Sequence, residues 1–83
     1  MAFTLRYAPQ ARKDLDRLEA ETLQRILAAL EELRANPQTG GSLRGKKVGR
    51  RKVRVGDYRI RYDIVGAFVD VYRVRHRREV YRD

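Results

Sequence analysis

Phe3, Leu5 and Tyr7 alternate with Thr4 and Arg6, the period of a strand with one buried face. Pro9 suits the first turn of a helix, where its missing N–H costs nothing. Ala8, Ala11, Leu15 and Leu18 then recur at helical spacing, and Ala20-Glu21 interrupts that stripe. A second helix carries Leu23, Ile26, Leu27, Leu30 and Leu33, an apolar stripe at i, i+3, i+4 and i+7. Asn36-Pro37 ends it, because Asn tolerates a left-handed cap and Pro cannot continue a helix. The two stripes predict a helical hairpin packed on a sheet, with the leucines as core.

Residues 37–49 form the one long loop, rich in glycine and carrying Arg44, Lys46 and Lys47. It reads either as a basic flap over an anion or as an ordinary connector. From Arg50 onward the pattern is a meander. Lys52 to Val55 is a strand, Gly56-Asp57 a two-residue hairpin turn, and Tyr58 to Ile64 the next strand. Val65-Gly66-Ala67 makes a second turn and Phe68 to Arg75 the last long strand, followed by a short basic tail. The architecture expected is α+β: an N-terminal strand, an α-helical hairpin, then a three-strand antiparallel meander. At 83 residues this is one domain, 1–83.

The first hairpin register has a consequence for charge. It pairs Val55 with Tyr58, Arg54 with Arg59, Val53 with Ile60 and Lys52 with Arg61. The apolar members share one face, and Lys52, Arg54, Arg59 and Arg61 share the other. Like charges directly opposite destabilise a sheet, by about 3 kcal/mol at ~5 Å and an effective dielectric of 20. Such a face makes sense when a polyanion binds it; the alternative is a solvated face whose long side chains splay apart. In the second hairpin a three-residue loop pairs Ile64 with Phe68 and Ile60 with Tyr72. That register keeps Phe68, Tyr72 and Val74 on the apolar side and adds Arg73, Arg75 and Arg77 to the basic side. It leaves Asp70 on the apolar side, and a two-residue loop would flip the strand.

Composition sharpens the reading. The chain has 20 Lys+Arg and 11 Asp+Glu, a formal net charge of +9. Residues 1–43 hold six basic and six acidic side chains, so all of the excess lies in residues 44–83. There it is interleaved with Val, Ile, Tyr and Phe, the pattern of strands with a basic face rather than of a disordered tail. With no cysteine and one histidine, disulfides, thiolate metal sites and His-rich metal sites are excluded. No cofactor is called for. The apolar runs are too short to cross a membrane, and no signal-peptide core opens the chain, so a cytoplasmic domain with an acidic partner is expected.

Over essentially its whole length the chain resembles the RelE/ParE toxin superfamily. The matching segments are Asn36-Pro37, Leu43-Arg44-Gly45, Val55-Gly56-Asp57-Tyr58-Arg59-Ile60-Arg61-Tyr62 and Val74-Arg75-His76-Arg77-Arg78-Glu79-Val80-Tyr81. The resemblance implies a toxin of a type II toxin–antitoxin system. One branch, RelE-like, consists of ribosome-dependent endoribonucleases that cut mRNA. The other, ParE-like, poisons DNA gyrase and is not a nuclease. Carried over by motif, the catalytic positions of the nuclease branch are Lys52, Arg54, Arg59, Arg77 and Tyr81. Together they favour a metal-independent mRNA endonuclease; gyrase inhibition is the alternative, and an inactive basic binding module a third.

Cleavage of RNA without a metal needs a base for the 2′-OH, an acid for the leaving 5′-oxygen and cations around the phosphorane. Lys52 is the candidate base, with Arg54 and Arg61 disfavouring its charged form. Arg59 and Arg54 can hold the phosphate. Arg77 can stabilise the leaving oxygen. Tyr81 can stack on a base, or simply anchor the tail. His76 reads first as a structural, hydrogen-bonded residue, with Tyr81 and His76 standing as the alternatives to Lys52 for the base. Arg44, Lys46, Lys47, Arg50, Arg51, Arg61, Arg73 and Arg75 are candidates for RNA contact. The partners implied are mRNA, the ribosome and a cognate antitoxin with an acidic or amphipathic C-terminal segment.

Overall fold

The computed structural model describes residues 2–42 and 49–80. β1 (Thr4–Tyr7) leads into α1 (Pro9–Asp16) and α2 (Ala20–Ala35). A 3₁₀ turn at Pro37–Thr39 and a two-residue strand, β2 (Gly41–Ser42), follow. β3 (Arg51–Val55), β4 (Tyr58–Val65) and β5 (Phe68–His76) form the meander, and a single helical turn, α3 (Arg77–Val80), ends the described chain. The sheet order is β1-β5-β4-β3-β2, with β1 parallel to β5 and the other pairs antiparallel. This is the α+β architecture expected, with β2 added where a loop was read.

The helices cover one face. α1 packs chiefly on β5, and α2 reaches β1 and β3. Ala11, Ile26, Leu30, Leu33, Ile60, Tyr62, Val69, Val71 and Val74 form the buried core. Each large aliphatic buried there contributes about 1.5–3 kcal/mol. Leu27 stands apart from its stripe and is 37% exposed. The break between the helices falls at Arg17–Glu19 rather than at Ala20-Glu21. The Arg17 and Leu18 N–H groups turn back to Asp14 and Leu15, closing α1 tightly, and Ala20, a strong helix former, opens α2.

Asn36 is not a left-handed cap; it sits at φ −139° and ψ 73°. The following Pro37 disfavours helical geometry at the residue before it, and this pushes Asn36 out of the helical region.

The first hairpin has the expected register, from Val55 opposite Tyr58 to Lys52 opposite Arg61. Gly56 takes φ 58°, the positive value a II′-type two-residue turn needs at its first position. The second hairpin corrects the expected register. Its loop has two residues, Gly66 at φ 58° and Ala67, and Val65 pairs with Phe68. Val69 and Val71 therefore face the core, while Phe68 and Asp70 face away. A β-bulge opposite Arg61/Tyr62 then inserts Tyr72 as an extra residue, so Val74 faces inward again. Strict alternation cannot place all three valines inside; one inserted residue does. The strand runs to His76, and Arg77 leaves it as the first residue of α3 instead of extending the basic strand face.

Among the described residues, no helix is long and apolar enough to cross a membrane.

Candidate functional site

The sheet face away from the helices carries two rows of three cations. Arg54, Arg59 and Arg75 pair across β3, β4 and β5, and Lys52, Arg61 and Arg73 form the next row. Six basic side chains thus stand on neighbouring strands of one face, closer than folding alone would favour.

The two rows differ in how they are held. In the second, Arg61 is buried; its Nε donates to the Gly49 carbonyl at 3.1 Å and its guanidinium lies 5.5 Å from the Tyr72 ring centroid. Arg73 donates through Nε and Nη2 to Asp14 at 2.9 and 3.2 Å. These two charges serve the architecture. In the first row, Arg54 is exposed and Arg59 half-buried, and neither meets a carboxylate among the described residues. Lys52, half-buried on the edge-side strand, is likewise without an ion-pair partner there.

Arg50 and Arg51 part company. Arg50 precedes β3, exposed, with its N–H held by Asp63 Oδ1 at 2.7 Å. Arg51 turns to the helix-covered face, where its Nη1 donates to the Gly40 carbonyl at 3.3 Å, so it lies away from the cationic rows. Arg77 is exposed, and its N–H donates to the Asp57 carbonyl at 2.7 Å. That bond puts Arg77 at the hairpin-turn end of the Arg54–Arg59–Arg75 row. His76 lies edge-on to Tyr58 at 5.2 Å, and its Nδ1 accepts the Arg78 N–H at 3.2 Å. Arg44, Lys46, Lys47 and Tyr81 lie outside the described residues.

Three supporting residues escaped the sequence reading. Asp14, buried on α1, accepts the Val74 N–H at 2.9 Å as well as Arg73. Its signal was an acid set on the Ala11–Leu18 apolar stripe. Tyr62 is fully buried in the core, and its hydroxyl donates to the Pro37 carbonyl and accepts the Gly40 N–H at 3.1 Å. Burial pushes the Tyr62 phenol above its usual range, with the Gly40 N–H and the Arg51 charge pulling the other way. Asp63 takes the N–H groups of Gly49 and Arg50 with its two oxygens at 2.8 and 2.7 Å, fixing the entry to β3 next to Lys52.

Solved toxins share this fold. The toxin–antitoxin complex RelBE2 from Mycobacterium tuberculosis contains a chain 31% identical, with TM-score 0.82, covering 92% of this chain and 99% of that one. The isolated E. coli RelE toxin is 25% identical, with TM-score 0.80, over 98% of this chain and 93% of that one. A chain of the chromosomal ParDE system from P. aeruginosa shares the fold at 18% identity and TM-score 0.68, over 90% of this chain and 96% of that one. No curated protein sequence matches significantly. The family model for the ParE toxin of the type II toxin–antitoxin system parDE matches residues 5–81, and the chain belongs to this family within the RelE/ParE toxin superfamily.

Proposed function

We propose that this toxin is a ribosome-dependent, metal-independent endoribonuclease that cuts mRNA and arrests translation. The observation that carries the reading is the row Arg54–Arg59–Arg75 with Lys52 beside it on one open face. A guanidinium can fork onto a phosphate and offset the charge that grows on it during attack. Lys52 removes the proton of the 2′-OH, which attacks the adjacent phosphorus. The 5′-oxygen leaves and takes up a proton, and a 2′,3′-cyclic phosphate remains. Arg59 and Arg54 hold the phosphorane, and Arg77, beside the hairpin turn, stabilises the leaving oxygen. Tyr81 stacks on a splayed base.

A net charge of +9 calls for an acidic neutralising partner. The similar RelE-type chain from M. tuberculosis was solved in a toxin–antitoxin complex. A cognate antitoxin with an acidic stretch over the cationic rows is proposed accordingly.

The ParE description of the family model favours a second reading, inhibition of DNA gyrase through protein contacts. Primer extension on mRNA in a translating extract separates the two. Discrete new 5′ ends that appear with the toxin and vanish with Arg59→Ala support the nuclease. Intact mRNA together with a block in gyrase supercoiling supports the second reading.

A further inference from the structure

Beyond the cationic rows the same face changes character. Two residues along β4 from Arg61 stands Asp63, opposite Asp70 on β5, which is opposite Arg6 on β1. This third row borders a cleft of about 430 Å³ lined by Arg6, Asp63, Asp70 and Tyr72. We propose that this cleft is a nucleobase pocket, taking the base of an unpaired nucleotide whose phosphate lies on the cationic rows. The proposal rests on the nuclease reading for its biological meaning and adds the feature that selects where the RNA sits.

Tyr72 supplies the stacking platform. It is the inserted residue of the β5 bulge, and bulges beside a site re-aim a side chain. Half-buried, it lines the cleft next to Arg61, with Gly49 packed so closely that a Cβ there would sit 2.9 Å from Tyr72 Cδ2. Gly49, at φ 63°, thus leaves room for the ring. An aromatic face contributes about 1–3 kcal/mol per stacked base and accepts every base.

The row beside it supplies hydrogen bonds. Arg6 and Asp70 form a bidentate pair at 2.7 and 3.0 Å, and the Arg6 guanidinium lies 3.8 Å over the Phe68 ring. Held this way, the pair presents donors and an acceptor side by side, the complement of a base edge. Both its side chains remain open to solvent, at 49% and 35% exposure. Asp63 has its oxygens engaged by Gly49 and Arg50 and forms a wall. Along β4 the row lies about 7 Å from Arg61, two residues of strand. The spacing fits a single strand whose backbone follows the cations while one base turns into the cleft.

The test uses the full-length toxin and non-cleavable 2′-O-methyl RNA hexamers, intact or abasic at one position, at low salt. Wild-type toxin should bind the intact hexamer about tenfold more tightly than the hexamer abasic at one particular position. Tyr72→Phe should keep that difference; Tyr72→Leu should abolish it, and Asp70→Asn should reduce it, with thermal melting confirming that each variant is folded. Equal affinity for intact and abasic hexamers at every position, or no binding, overturns the pocket. So does a difference that survives Tyr72→Leu. Cleavage in the translating extract is read separately: a wild-type toxin that shows the abasic effect yet cuts no mRNA retains the pocket and refutes the nuclease.

Discussion

Asp14 grips Arg73 across the edge of the sheet, with Nε and Nη2 donating to its two oxygens at 2.9 and 3.2 Å. The same carboxylate takes the Val74 N–H at 2.9 Å, a donor that β1, whose last residue Tyr7 pairs with Val71, leaves uncovered. α1 therefore seals the part of β5 that has no strand beside it. Asp14→Ala should destabilise the protein by about 3 kcal/mol, since it strands a half-buried guanidinium and a buried N–H. Asp14→Asn keeps an acceptor for Val74 and should cost less. Urea unfolding of the three proteins measures both.

Gly40 and Gly41 are neighbours with opposite tolerance. A Cβ on Gly40 would clash with Tyr62 Oη and lie 2.7 Å from the Lys52 carbonyl, whereas one on Gly41 meets nothing within 4 Å. Gly40→Ala should lower stability by about 2 kcal/mol, in the range for overpacking. Gly41→Ala should be neutral to within about 0.5 kcal/mol. Paired thermal melts provide the check.

Tyr62 makes a pH-dependent contribution. Burial raises its folded-state pKa above the ordinary phenol value of about 10, so the unfolded chain ionises first as pH rises. The stability its neutral form contributes is complete below about pH 10 and is lost as pH climbs through the folded pKa. Tyr62→Phe should cost about 1–2 kcal/mol at pH 7, where it removes two hydrogen bonds. The gap between the two proteins should narrow above pH 10. Chemical denaturation at pH 7, 9 and 10.5 tests this, and a constant gap contradicts it.

Arg59 stands between Arg54 and Arg75 in its row. Arg59→Ala should abolish toxicity while leaving the melting temperature unchanged or slightly raised, because it removes like-charge repulsion. Arg59→Lys should restore only part of the activity, lacking the bidentate fork. An unfolded Arg59→Ala protein, or a folded and fully toxic one, contradicts the assignment. Growth after induction and a melting curve suffice.

If Lys52 takes the 2′-OH proton, removing its amine removes general-base catalysis. Lys52→Ala should slow single-turnover cleavage of ribosome-bound mRNA by roughly 10²–10⁴-fold while leaving the melting temperature unchanged. A folded Lys52→Ala toxin that cuts at the wild-type rate assigns the base to another group.

Local chemistry decided much of this protein in advance. The alternation from Lys52 to Arg61 around Gly56-Asp57 placed four cations on one face, because a two-residue turn leaves only one register in which Val53, Val55 and Ile60 share a side. The leucine stripe of α2 and the parity of Phe3, Leu5 and Tyr7 were legible for the same reason: each is a period set by the backbone alone. What the tertiary structure decided are relations without a period. The bulge at Tyr72 re-phased β5 so that Val69, Val71 and Val74 could all be buried, and this sent Phe68, Asp70 and Tyr72 to the outer face. Asp14 met Arg73, and Asp63 met Gly49, only because the sheet brought residues far apart in sequence within hydrogen-bonding distance. Of the six cations so aligned, packing left Arg61 and Arg73 bound to the scaffold and Arg54 and Arg59 facing outward, a division that depends on which neighbours the fold supplies.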